Sequence, residues 1–157
     1  MDCSFPRSWP TTSRSAECCS TSRMWWQAQR GCCRPLGVAD RCQVVGGDFF
    51  EAVPDGGDAH LLKFILHDWE DEQATAILRT CRHAIAPEGR LLVIDSEIAP
   101  PNEGAPGKFR DLTMLVHPGG RERTREEWTA LFAAGGFRLV RATPTEAGLS
   151  IIEGVPA

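Results

Sequence analysis

At 157 residues the chain is long enough for one domain with a hydrophobic core, and its length does not ask for a second. A net charge of −4 and a pI near 5.6, with no basic stripe after residue 40, exclude nucleic acid as the main partner, because phosphate binding needs a basic face. No run approaches the ~20 apolar residues of a membrane helix and the N-terminus lacks the apolar core of a secretion signal, so the chain reads as soluble and cytoplasmic.

Composition breaks near residue 37. The first 37 residues hold five of the seven cysteines, three of the five tryptophans, no lysine, and five arginines against two acids. That is a net of +3, which leaves −7 to the other 120 residues. Neither helical nor strand periodicity runs through this segment, and it reads as disordered. Cys18-Cys19 and Cys32-Cys33 are adjacent pairs, unlike the C-x2-C knuckle that sets two thiolates on one zinc ion.

From Gly37 the pattern is that of a folded domain. CQVVGG at 42–47 reads as a strand, and GDFFEAVPDGGD leads from it into a turn-rich loop. AHLLKFIL at 59–66 is a continuous apolar run, as for a strand covered on both faces. A helix is predicted from about Glu70 to Ile85, since Ala74, Ile77, Leu78, Cys81 and Ile85 share one face, with Pro87 and Gly89 ending it. GRLLVIDSEI at 89–98 is a second buried strand. Phe109 to Val116 reads as helical, with Phe109, Leu112, Leu115 and Val116 on one side, and HPGGRER as a turn. Thr124 and Glu127 form a capping box for a helix carrying Trp128, Leu131 and Phe132, which Gly135-Gly136 stops. FRLVRATPT and GLSIIEGVP close the chain as a β hairpin. The order is that of an α/β fold with a mostly parallel sheet.

His67, Asp95 and Glu122 fall at strand ends or turns, and the carboxyl ends of parallel strands share one crevice. A histidine flanked by carboxylates is held in one tautomer and stabilised when it takes a proton, as a general base requires. Spacing alone favours a plainer reading, in which His67 is a helix N-terminal residue with Asp68 as the cap. Asp48, before Phe49 and Phe50, suits a ribose or adenine contact, and Lys63 either snorkels or meets an anionic group. His60, His83 and His117 share no metal-ligand spacing, and no metal is assigned.

From about Gly37 onward the motifs VVGGDFFEAVP, LLKFILHDWEDE, ILRTCRHAIAPEGRLLVID, DLTMLV, GGRERTREEW, GGF and SIIEGVPA resemble the C-terminal half of the caffeic acid and hydroxyindole type of S-adenosylmethionine-dependent O-methyltransferases, particularly actinobacterial members acting on small aromatic or polyketide metabolites. The resemblance implies a Rossmann-like class I methyltransferase sheet and a direct displacement on the cofactor's sulfonium methyl. It also implies His67 as general base, Asp95 and Glu122 as its flanking acids, Asp48, Phe49 and Lys63 at the cofactor, and Asp68 and Met114 along the acceptor pocket. Asp95 stands where the family usually has glutamate, one methylene longer.

The DVGGGxG-type glycine-rich turn of that family and its helical homodimerisation domain find no counterpart in this sequence. The expected organisation is therefore a non-homologous segment over 1–36 and a partial catalytic domain over 37–157, its sheet lacking the glycine-rich strand beside the one that ends at His67. Plausible codons for ECCSTSRMWWQAQ at 17–29, read one base to the left, give GVLFDLPHVVAGA, which is similar to an LFDLPHVV-like stretch of the family. The tryptophans and methionine have single codons and fix two valines and a codon ending AT. Residues 1 to about 35 thus read as an out-of-frame translation, and the alternative to an active enzyme is an inactive or partner-binding remnant. Weak or no turnover is the expected outcome for the chain alone, and micromolar S-adenosylmethionine binding by calorimetry would contradict it.

Overall fold

The computed structural model describes residues 45, 47–99, 111–114, 116 and 120–157. The cysteine pairs, most of the strand expected at 42–47 and Phe109 lie outside the described residues. The chain divides into two compact units, Met1–Pro54 and Asp55–Ala157. In the first, Asp48 organises a turn: its carbonyl accepts from Glu51 N at 3.0 Å and Ala52 N at 2.9 Å, and its Oδ1 accepts from Phe50 N at 2.9 Å. An aspartate that bonds the backbone two residues on mimics a turn carbonyl, which is why GDFF bends here.

The second unit runs β1 (Ala59–Lys63), α1 (Asp71–Ala84), β2 (Arg90–Asp95), α2 (Arg125–Ala134), β3 (Phe137–Pro144) and β4 (Ser150–Pro156), with sheet order β1-β2-β4-β3. β1 and β2 pair in parallel through α1, as a βαβ unit must. The closing hairpin forms as expected, and Thr145 N donates to Leu149 O at 2.7 Å across its turn. Among the described residues the sheet departs from the mostly parallel one expected, since both other pairings, β2 with β4 and β3 with β4, are antiparallel. The short turn returns β4 beside β3, and a strand so returned runs antiparallel also to β2.

The helical periodicity is realised: Ala74, Ile77, Leu78 and Cys81 of α1 are buried, and Ile85 follows them into the core. Thr124 caps α2 reciprocally with Glu127, as its sequence demands. α2 packs on α1 and β3 through Trp128, Leu131 and Phe132, the last edge-on to Trp128 and Phe137 with ring centroids 6.4 and 6.5 Å away. Gly135 is a packing requirement, because a Cβ there would stand 2.5 Å from the Leu78 Cβ.

Two burial expectations fail. β1 is an edge strand among the described residues and is exposed in alternation, with Leu61 45% exposed, rather than covered on both faces. Residues 111–114 and 116 are helical as predicted, yet Leu112 and Val116 of the anticipated apolar face are exposed. Periodicity identifies an apolar face but not what covers it. Phe132→Ala is expected to cost about 3–5 kcal/mol in urea unfolding, against less than about 0.5 kcal/mol for Leu112→Ala; comparable losses would show that the core lies elsewhere.

Candidate active site

The chain leaves β1 through a strained residue. Phe64 takes φ +55, a left-handed conformation rare for a bulky side chain, while its N–H donates to Ile94 O of β2 at 3.1 Å. This bend feeds a single 3-10 turn, Leu66–Asp68, which presents His67, and the Phe64 ring stacks on the imidazole at 5.5 Å with planes 21° apart. Strain of this kind persists only where the surroundings enforce it and collects at functional sites.

His67 is 8% exposed. Its Nδ1 lies 2.9 Å from Asp95 Oδ1, at the end of β2, and 3.5 Å from Glu122 Oε1, in the approach to α2. Asp95 lies off the ring N–H axis, so this is an ion contact rather than an aligned hydrogen bond. Nε2 lies on the other side of the ring, 3.4 Å from the half-exposed Asp68. Asp95 and Glu122 are 0% and 1% exposed. Asp95 Oδ1 also accepts from Ser96 N at 3.0 Å, but among the described residues Asp95 Oδ2 and both Glu122 oxygens have no hydrogen-bond donor. Burial, the largest single influence on His67, disfavours its charged form. The short-range contacts and charges of Asp95 and Glu122 together outweigh burial and raise the imidazole from 6.5 to about 10.

The capping alternative does not describe the geometry. The residue preceding α1 is Glu70, no side chain caps that helix, and His67 belongs to the turn before it. HPGGRER is also more than the plain turn expected of it, since Arg123 within it forms a parallel bridge with Glu97 and is fully buried. Its Nη1 donates to Leu66 O at 2.8 Å, its Nη2 to Trp69 O at 2.8 Å and its Nε to Asp71 Oδ1 at 2.9 Å. Arg121 N donates to His67 O at 2.8 Å, and a Cβ on Gly120 would stand 1.9 Å from that same carbonyl. Only glycine permits this approach. The arginine's place in a charged turn hid its burial, and no sequence signal announces the positive φ of Phe64.

Of the other anticipated residues, Lys63 ends β1 exposed with Nζ 5.5 Å from the Phe64 ring, and Met114 is half-buried in the 111–114 helix. Asp48 and Phe49 belong to the first unit. The ligating atoms of His67, Asp95 and Glu122 lie within 4.8 Å of one another, so the trio that holds a proton also has the donor set of a small cation site.

The sequence profile of the O-methyltransferase domain matches residues 26–138, beginning ahead of the boundary expected at residue 37. The chain belongs to the O-methyltransferase family. It is 49% identical over 120 residues to the phenazine O-methyltransferase PhzM of Lysobacter antibioticus, covering 76% of this chain and 35% of that protein. It is 46% identical over 112 residues to the mitomycin biosynthesis 6-O-methyltransferase of Streptomyces lavendulae, covering 71% of this chain and 32% of that protein. The crystal structure of the O-methyltransferase NcsB1 from neocarzinostatin biosynthesis, with S-adenosyl-L-homocysteine and 1,4-dihydroxy-2-naphthoic acid, superimposes at TM-score 0.81 and 32% identity, covering 90% of this chain and 42% of that one. The chain spans about a third of the length of the curated relatives it matches. No helix of this O-methyltransferase-family chain, among the described residues, is long and apolar enough to cross a membrane.

The raised imidazole sets the direction of a pH effect. The folded state binds a proton at His67 that the unfolded chain releases above 6.5, so the stabilisation is complete below 6.5 and lost as pH rises toward 10. Unfolding free energy is expected to fall between pH 6.5 and about 8.5, below the range where Cys81, its thiol pushed up to about 11 by burial, adds a slope of the same sign. His67→Gln should flatten this decline, and an unchanged slope would remove His67 as its source.

Proposed function

We propose that this chain carries the catalytic base of an S-adenosylmethionine-dependent O-methyltransferase acting on a hydroxyl of a small aromatic or polyketide-like acceptor. The observation that carries the reading is the buried imidazole with Nδ1 facing Asp95 and Glu122 and Nε2 on the opposite side of the ring. The family membership and the naphthoate bound in NcsB1 support this acceptor class.

Nε2 of His67 accepts the acceptor's hydroxyl proton while the oxygen gains the methyl carbon. Asp95 and Glu122 stabilise the resulting imidazolium, so proton uptake is favourable where burial alone would oppose it. Asp68, beside Nε2, and Met114 line the acceptor side. When bound, S-adenosylmethionine would supply an electrophilic sulfonium methyl, with a neutral thioether as its leaving group. The side-chain chemistry fits that cofactor: Asp48 keeps one carboxylate oxygen in its turn and has a second suited to ribose hydroxyls, and Phe49, its ring 5.0 Å from that of Phe50, suits adenine stacking. Lys63 suits the cofactor's carboxylate.

The second reading, a chain that carries the base but does not turn over, rests on the want of a glycine-rich turn in the sequence. Transfer of a labelled methyl group to a dihydroxynaphthoate separates the two. Turnover is expected to drop about 10²–10⁴-fold in His67→Ala with cofactor affinity nearly unchanged, and a rate within a few-fold of wild type would remove His67 as base. The base works only when neutral, so the rate should climb with pH toward the elevated imidazole value, and Asp95→Asn should move that limb to lower pH. EDTA should leave the rate unchanged; loss of activity would favour a cation in the trio. Absence of both turnover and cofactor binding in the wild type would favour the second reading.

A further inference from the structure

We infer that Arg123 is the positioning residue for His67: its guanidinium fork, held by Asp71, fixes the carbonyls of Leu66 and Trp69 on either side of His67 and so sets the imidazole against Asp95 and Glu122. The inference rests on the reading of His67 as the base, and its geometry stands independently of turnover.

The turn is short and its own backbone bonds are long, Asp68 N to Ile65 O at 3.2 Å and Trp69 N to Leu66 O at 3.4 Å. A 3-10 turn of three residues behind a strained Phe64 has little local means of holding one geometry. The shorter bonds come from the 120–123 segment: Arg123 to Leu66 O and Trp69 O, both at 2.8 Å, and Arg121 N to His67 O at 2.8 Å. Gly120 brings that backbone into contact. Arg123 is 0% exposed and lies 5.4 Å over the Trp128 ring, while Asp71 holds Nε at 2.9 Å and Nη2 at 2.8 Å. The same segment carries Glu122, whose N–H donates to Asp111 Oδ1 at 2.9 Å. One strand of chain therefore sets the base and one of its acids together. The planar fork reaches two carbonyls at once, which the single ammonium of lysine cannot do in the same geometry.

The test is an NMR titration of the histidine ring protons in the full chain, with the His67 signal assigned by its loss in His67→Gln. Arg123→Lys keeps the charge but not the fork. Its His67 midpoint is expected to fall by about one pH unit or more as the ring moves off the carboxylates, with the His60 and His83 signals in place. A midpoint unchanged in a folded Arg123→Lys protein overturns the proposal, because a merely structural arginine would lower stability without moving this titration. If Arg123→Lys does not fold, Asp71→Asn decides against Glu72→Gln, which removes the same charge one residue away on exposed surface. A larger fall in the His67 midpoint for Asp71→Asn supports positioning through the fork, and equal falls overturn it. Failure of the base assignment would show instead as retained methyl transfer in His67→Ala.

Discussion

Taking an imidazole and two carboxylates out of water costs several kcal/mol per ion unless opposite charges meet at close range. The second unit is arranged around that condition. His67 comes from the turn after β1, Asp95 from the end of β2 and Glu122 from the approach to α2, and their ionisable atoms converge within 4.8 Å. Two acids share one imidazole, and among the described residues three of their four oxygens have no other donor. The cluster is therefore most stable with a proton on the ring, which gives a buried histidine an affinity for protons that burial alone would deny it.

The scaffold reflects the same demand. β1 and β2 run parallel, so their carboxyl ends lie side by side, and the chain emerging from each contributes one member of the cluster. The third member is tied in by backbone: Ile98 N donates to Arg123 O at 3.1 Å and the Trp128 indole to Ser96 O at 3.2 Å, joining the exit of β2 to the start of α2. The aromatic packing of Trp128, Phe132 and Phe137 fixes α2, and with it the segment bearing Glu122 and Arg123. A third buried carboxylate, Glu153, is met instead by Arg141 and Arg90, and Arg141 foremost holds it below the usual glutamate range. It is saturated by guanidinium groups, whereas among the described residues the acids beside His67 have only the imidazole and the Ser96 N–H that Asp95 Oδ1 accepts.

Much of this was legible in residue order. The apolar face of α1, the capping box before α2, the glycine stop after it and the closing hairpin are local patterns, and local physics decides them. Resemblance brought the residues of the candidate site forward, whereas spacing alone favoured a capping neighbour over a base for His67. Other features were not legible. The exposure of Leu61, Leu112 and Val116 depends on what lies opposite them. The antiparallel entry of β4 beside β2 depends on how a hairpin inserts into a sheet already begun.

By itself the sequence determined the elements, the family and the identity of the three titratable residues, because each is encoded in periodicity, capping chemistry or contiguous motif. Only the tertiary structure decided that these three residues meet, that the meeting is buried, and that Gly120 and Arg123 hold the turn in place. Those facts join residues far apart in the chain, His67 with Asp95 across 28 positions and Arg123 with Leu66 across 57. No local pattern carries such information. An arginine in a charged turn and an arginine sealed under a tryptophan read alike until the chain around them has closed.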